Sequence, residues 1–180
     1  PEVVRARELG IEVWPRAKML PALSLGHTTV AVSGTHGKTT TSSMVTTMLD
    51  RMGLDPSFLI GGFVEGYDTN AHSGRSQYYV AESDESDGSF LYFDPTVAVV
   101  TNIEADHLDH YGTIENLEKT FGQFMDSVGP EGHVVACGES ERVRRVAAAS
   151  SANVVLYGLA GVGEFDYVCT PEPSHHSIES

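Results

Sequence analysis

TTVAVSGTHGKTT, residues 28–40, passes from a β-branched apolar run through two glycines into a lysine followed by threonines. The order is strand, glycine loop, helix. Beyond Lys38, Met44, Val45, Met48, Leu49 and Met52 recur at helical spacing, and Gly53 falls where a glycine ends a helix. Gly34 and Gly37 let the main chain approach an anion closely, and the start of the helix turns unpaired amides and the positive end of its dipole toward the same point. Thr35, His36 and Thr40 complete the loop. In that setting the Lys38 ammonium would reach the β- and γ-phosphates of a nucleotide, and the Thr39 hydroxyl would ligate Mg2+. The common pattern has its first glycine where this chain has Val32. A tight strand-to-helix turn followed by an exposed lysine is the plainer alternative.

Outward from the loop, strands are expected at 57–60, 78–82, 96–101, 133–137 and 153–157, with one more at 165–170. Most are continuous apolar runs, as in strands covered on both faces. Helical patterns separate the later ones: Thr113 as N-cap of a segment with Ile114, Leu117, Phe121, Phe124, Met125 and Val128 on one face, then residues 139–149. Such alternation implies an α/β fold with a mostly parallel sheet flanked by helices. Residues 61–77, rich in Gly, Ser, Asn and His, suit an irregular or hairpin excursion. The first 26 residues resemble a lead-in: a short helix, a small strand at 11–14 and a helical turn after Pro15.

The chain has 180 residues, 41% of them hydrophobic, enough for one well-buried domain. Its net charge of −14 excludes a sequence-independent nucleic-acid surface, which needs clustered Lys and Arg. A phosphate would have to be held locally, by amides, one lysine and a cation. Cys137 and Cys169 lack metal-site spacing and suggest two buried thiols in a reducing cytoplasm. No apolar run approaches the roughly 20 residues that cross a bilayer, so a soluble chain is expected. The absent initiator Met and the abrupt ends suggest a piece of something longer.

In an open parallel sheet ligands bind beyond the carboxyl ends of strands. Two further ends carry chemistry. Glu82 closes one strand and opens Glu82-Ser83-Asp84-Glu85-Ser86-Asp87, four acids whose mutual repulsion a cation would relieve; a solvated acidic loop is the alternative. Asn102-Ile103-Glu104-Ala105-Asp106-His107 follows another. His107, flanked by Asp106 and Asp109, could be oriented by a carboxylate for metal binding, or could be structural.

In order, Gly34-Thr35-His36-Gly37-Lys38-Thr39-Thr40, Asn70-Ala71, Glu82-Ser83-Asp84-Glu85-Ser86-Asp87 with Ser89-Phe90-Leu91, and Thr101-Asn102-Ile103-Glu104-Ala105-Asp106-His107-Leu108-Asp109 resemble the motifs of the Mur ligases. The resemblance spans about residues 1–158. It implies a P-loop NTPase-like central domain at 27–180, entered through a lead-in at 1–26 from an N-terminal UDP-sugar domain, with that domain and a C-terminal Rossmann-like domain outside this chain. ATP and Mg2+ are the implied cofactors. The resemblance puts Thr39 and Glu82 on one Mg2+, His107 on a second between γ-phosphate and substrate carboxylate, and Asn102 near substrate or nucleotide. Lys38, Glu82 and His107 become the catalytic set. Residues 173–177 resemble the family's later glycine-x-histidine-asparagine motif without its asparagine, which marks His176 as a nucleotide contact.

Within the family, the acidic motif is similar to that of members joining L-alanine to UDP-N-acetylmuramate in peptidoglycan precursor synthesis. There the lactyl carboxylate attacks the γ-phosphate, and the amine displaces phosphate from the acyl phosphate. A ligase that adds a whole tripeptide to the same sugar is the near alternative. A nucleotide-binding module without catalysis is another, and the isolated segment is expected to be inactive because positioning of both substrates needs the other domains. A generic P-loop hydrolase or kinase would explain Lys38 and Thr39 but not Glu82 and His107.

Overall fold

The computed structural model describes residues 1–14, 16–86 and 88–171; His176 and the rest of 172–180 lie outside the described residues. Two short helices lead in, α1 (Glu2–Glu8) and α2 (Arg16–Ala22). The sheet strands are β1 (Thr28–Ser33), β2 (Ser57–Val64), β3 (Thr69–His72), β4 (Tyr78–Glu82), β5 (Val97–Val100), β6 (His133–Cys137), β7 (Asn153–Leu159) and β8 (Tyr167–Cys169). Helix α3 (Lys38–Arg51) follows β1; α4 (Leu108–Tyr111) and α5 (Ile114–Asp126) follow β5, and α6 (Glu141–Ala149) follows β6. The sheet order is β3-β2-β4-β1-β5-β6-β7-β8. Every pairing is parallel except β2 with β3, which form the hairpin expected between 61 and 77.

Side chains alternate across β4, and the two cores follow from that alternation. Tyr79 and Ala81 face the larger core with Phe90, Phe121, Phe124 and Met125, whereas Val80 faces a smaller one with Phe58, Ile60 and Val64. Helix α5 is capped as its sequence indicates, the Thr113 hydroxyl accepting from the Asn116 amide at 3.3 Å. Its Leu117, Phe121, Phe124 and Met125 are buried, with Phe90 edge-on to Phe121.

Two expectations fail, at residues 11–14 and at the thiols, and the helix expected after Lys38 forms with only Val45 and Leu49 of its apolar pattern turned inward. Residues 11–14 form no strand: no neighbouring strand offers a ladder, Ile11 gives its amide to Ala6 in closing α1, and Lys18 sits 4.7 Å over the Trp14 ring instead. The inward stripe of α3 is Ser42, Val45, Thr46 and Leu49, not the methionines; Met44, Met48 and Met52 are exposed on its flank. Small hydroxyl residues let the helix settle close to the sheet, which pushes the longer side chains outward. Nor are the thiols both buried: Cys137 is half-buried and Cys169, on the edge strand, is exposed. Among the described residues no helix is long and apolar enough to cross a membrane.

Candidate functional site

Strand order explains how distant motifs meet. β1 lies between β4 and β5, with Val32 level with Glu82 and Ser33 level with Val100. The loop after β1, the acidic run after β4 and the Asn102–His107 segment after β5 therefore leave the sheet side by side.

The loop at 34–37 is held by the residues following β5. The Asn102 side chain clamps the backbone of one residue, accepting from the His36 amide at 2.9 Å and donating to the His36 carbonyl at 2.9 Å. Thr101 Oγ1 donates to the same carbonyl at 2.6 Å, and the Thr35 hydroxyl accepts from the Glu104 amide at 2.9 Å. Gly34, at φ 138°, allows this approach: a Cβ there would lie 2.1 Å from Thr101 Oγ1 and 3.0 Å from the Asn102 amide nitrogen. Gly37 stands at the N-cap of α3 in the left-handed region, and no side chain caps the helix. The first turn of α3, with Thr39 and Thr40, thus begins with amides that its own sequence does not satisfy.

Thr39 and Glu82 are paired. The Thr39 hydroxyl donates to Glu82 Oε2 at 2.9 Å, and the Gly61 amide of β2 donates to the same oxygen at 2.7 Å. Glycines make the room: a Cβ on Gly61 would lie 2.9 Å from Glu82 Oε1, and one on Gly62 would lie 2.8 Å from Thr39 Cγ2. An adjacent hydroxyl and carboxylate suit Mg2+, which takes one or two protein oxygens and completes its shell with phosphate and water. Among the described residues no three His, Cys, Asp or Glu side chains converge as a self-sufficient metal cage.

Lys38 and His107 meet through Glu85, which is buried at 1% exposure. Lys38 Nζ lies 2.9 Å from Glu85 and donates to the Gly34 carbonyl at 2.7 Å. His107 Nε2 stands 3.8 Å from Glu85 Oε1 and 3.9 Å from Asp106 Oδ2. His107 itself is held in the left-handed region at the start of α4, its amide donating to Asp106 Oδ1 at 2.8 Å. At the far end of that turn the Tyr111 hydroxyl donates to the Glu85 carbonyl, tying α4 down over the acidic loop.

Lys38, Thr39, Glu82 and His107 are thus gathered at one end of the sheet, and Asn102, beyond β5, stands against the loop it clamps. Glu85 and Thr101 join them, although neither stands out from its neighbours in the sequence. A cleft of about 570 Å³ opens beside the loop, lined by Thr35, His36, Glu104, Asp106, Ser140 and Arg142 among others. His36 and Glu104 face each other across its rim at 3.7 Å.

A sequence model described as the Mur ligase middle domain matches residues 32–170. The chain is similar to the UDP-N-acetylmuramate--L-alanine ligase of Salinispora arenicola, at 48% identity over 162 residues, covering 88% of this chain and 32% of that protein. Among solved structures, it is similar to UDP-N-acetylmuramate:L-alanyl-gamma-D-glutamyl-meso-diaminopimelate ligase from Neisseria meningitides, with TM-score 0.76 and 29% identity over 86% of this chain and 53% of that one. It is also similar to UDP-N-acetylmuramate-alanine ligase from Thermotoga maritima, with TM-score 0.71 and 28% identity over 88% of this chain and 35% of that one. The chain spans 32–36% of the length of the curated relatives it matches.

Proposed function

The chain belongs to the Mur ligase family through its middle domain, and from that premise we propose that residues 27–180 bind ATP with Mg2+ for the ligation of L-alanine to UDP-N-acetylmuramate. The observation that carries this reading is the meeting of three strand ends: the Lys38–Thr39 helix start, the Glu82 carboxylate bonded to Thr39, and His107 beside Glu85. In this reading residues 1–26 enter from a UDP-sugar domain, and a further domain helps hold nucleotide and amino acid. The work is cytoplasmic, where ATP and the UDP-sugar are available.

The chemical problem is repulsion. A lactyl carboxylate must approach the γ-phosphate of ATP, and both are anions. The amides of residues 37–40, at the end of the loop and the start of α3, cradle the phosphates, and Lys38 adds a full positive charge where charge accumulates. Thr39 and Glu82 would hold one Mg2+, and His107 would contribute to a second; when bound, these ions would neutralise phosphate and carboxylate charge. Asn102 and Thr101 keep the loop from rearranging by fixing the His36 backbone on both sides of its Cα, so the donors that follow are already aimed when the phosphates arrive. The acyl phosphate formed by carboxylate attack then meets the amine of L-alanine, which displaces phosphate.

L-Alanine is favoured over a tripeptide by the names of the curated relatives, alanine ligases at 45–48% identity; the alanine-adding and tripeptide-adding solved structures do not separate the two, at 28% and 29%. The test is a chimera in which this chain replaces the corresponding third of the Salinispora arenicola relative. ADP release is followed with UDP-N-acetylmuramate and, in turn, L-alanine, glycine, L-serine and the tripeptide. The expected result is release with L-alanine and the sugar together, while the 180-residue chain alone forms no amide. Sugar-dependent release with none of these amines would count against the assignment, and amide formation by the chain alone would overturn the division of labour.

A further inference from the structure

Glu85 has no role in the proposed function, yet it stands between two groups that do. An ammonium has three donors, and four protein oxygens surround Lys38 Nζ: the Gly34 carbonyl at 2.7 Å, both Glu85 oxygens at 2.9 Å and, more distantly, the Thr35 carbonyl at 3.5 Å. Four oxygens for three donors leave none for a phosphate. To grip one, Lys38 must release a protein oxygen. Water can replace it at a loop carbonyl. Glu85 is different: its side chain is 1% exposed, Lys38 Nζ stands 2.9 Å from both of its oxygens, and losing Lys38 would leave a buried, uncompensated charge.

The other group facing this carboxylate is His107, with Nε2 3.8 Å from Oε1. That separation is too long for a hydrogen bond and long enough for a cation to be shared by the two. We propose that Glu85 couples the phosphate grip to a divalent cation: Lys38 turns to the nucleotide only as a cation on the His107 side takes over the charge of Glu85. The coupling rests on the ATP-binding reading above and adds a partner-exchanging residue to it. Without the cation, Glu85 holds Lys38 back. With it, Lys38 is released to the phosphates.

The test is the affinity of the 180-residue chain for ATP, measured by calorimetry in EDTA and in saturating Mg2+, for the unsubstituted chain, Glu85→Gln and Glu85→Asp. In EDTA, Glu85→Gln is expected to bind ATP about tenfold more tightly than the unsubstituted chain, because a neutral amide left behind avoids the cost of a buried charge. In Mg2+ the two should agree within about twofold, since the cation then offsets that charge. Glu85→Asp, which keeps the charge, should behave like the unsubstituted chain. Equal affinities in EDTA, or weaker binding by Glu85→Gln in both media, would overturn the coupling while leaving ATP binding intact. Absence of ATP binding by the unsubstituted chain in both media would overturn the functional reading itself. A second measurement needs no substitution: the 15N signal of the Lys38 ammonium should stay in place when ATP is added in EDTA and move when Mg2+ follows. Movement in EDTA would contradict the proposal.

Discussion

Lys38 and Glu85 illustrate an asymmetry of buried ion pairs: forming one gains little, but removing one partner is costly because the other stays charged in a dry place. Lys38→Met is therefore expected to destabilise the chain by about 3–5 kcal/mol, and adding Glu85→Gln should recover most of that loss. Urea denaturation of the three proteins checks this; a Lys38→Met variant of unchanged stability would mean that the pair does not form in solution. Gly34 makes a different demand. At its φ of 138°, a side-chain Cβ would stand 2.1 Å from Thr101 Oγ1 and 3.0 Å from both the Asn102 backbone nitrogen and carbonyl oxygen, so turning the Thr101 side chain aside would still leave backbone in the way. Gly34→Ala should cost about 2–4 kcal/mol and loosen the loop, visible as faster amide exchange at His36. Lys38 and Thr39 were legible in the sequence because the signal is local, a glycine loop between a strand and a helix. Glu85 was not. Four acids in six residues look alike until Tyr111, arriving from α4, bonds the Glu85 carbonyl and the fold buries one side chain beside Lys38.

Among the elements, the β2–β3 hairpin is closed at its open end, before β2 and after β3, by side chains that carry no strong signature in the sequence. Asp55, in the left-handed region just before β2, accepts from the Arg75 side chain at 2.8 Å and amide at 3.1 Å, with His72 Nε2 3.0 Å away. Arg75, then His72, draws the Asp55 carboxyl down from its ordinary 3.8 to about 2. Because the folded value lies below the unfolded one, this stabilisation is present above about pH 4 and is lost as pH falls toward about 2. Asp55→Asn should flatten the acid limb of the stability profile across that window, as read by denaturation at successive pH values. An unchanged limb would remove Asp55 from the account. Elements with strong periodicity were legible: β1, β4 and β6 begin and end where their apolar runs do, and α5 starts at its Thr113 cap. The failures came where the partner decides. Residues 11–14 have strand-like composition but no neighbouring strand, and the α3 methionines have helical spacing but lie beside the stripe that Ser42 and Thr46 bring against the sheet.

At the scale of the molecule, a parallel α/β sheet was legible from alternating strand and helix patterns, whereas the strand order was not. Nothing local in the sequence says that β4 and β5 flank β1, because pairing is set by packing on both faces. Phe90, Phe121 and Phe124 fill one face, and Phe58, Ile60 and Val64 fill the other. Yet that order brings Thr39 to Glu82 and His107 to Glu85, and so turns three separate motifs into one site. If that site holds a metal–nucleotide complex, as proposed, the ion itself can report its position. The most direct measurement is an amide NMR spectrum of the 180-residue chain with Mn2+·ATP, whose paramagnetic ion broadens nearby signals. The expected result is broadening of residues 34–40, Gly61, Glu82 and His107, reversed by excess Mg2+·ATP. Broadening centred on another face, or none at millimolar nucleotide, would contradict it.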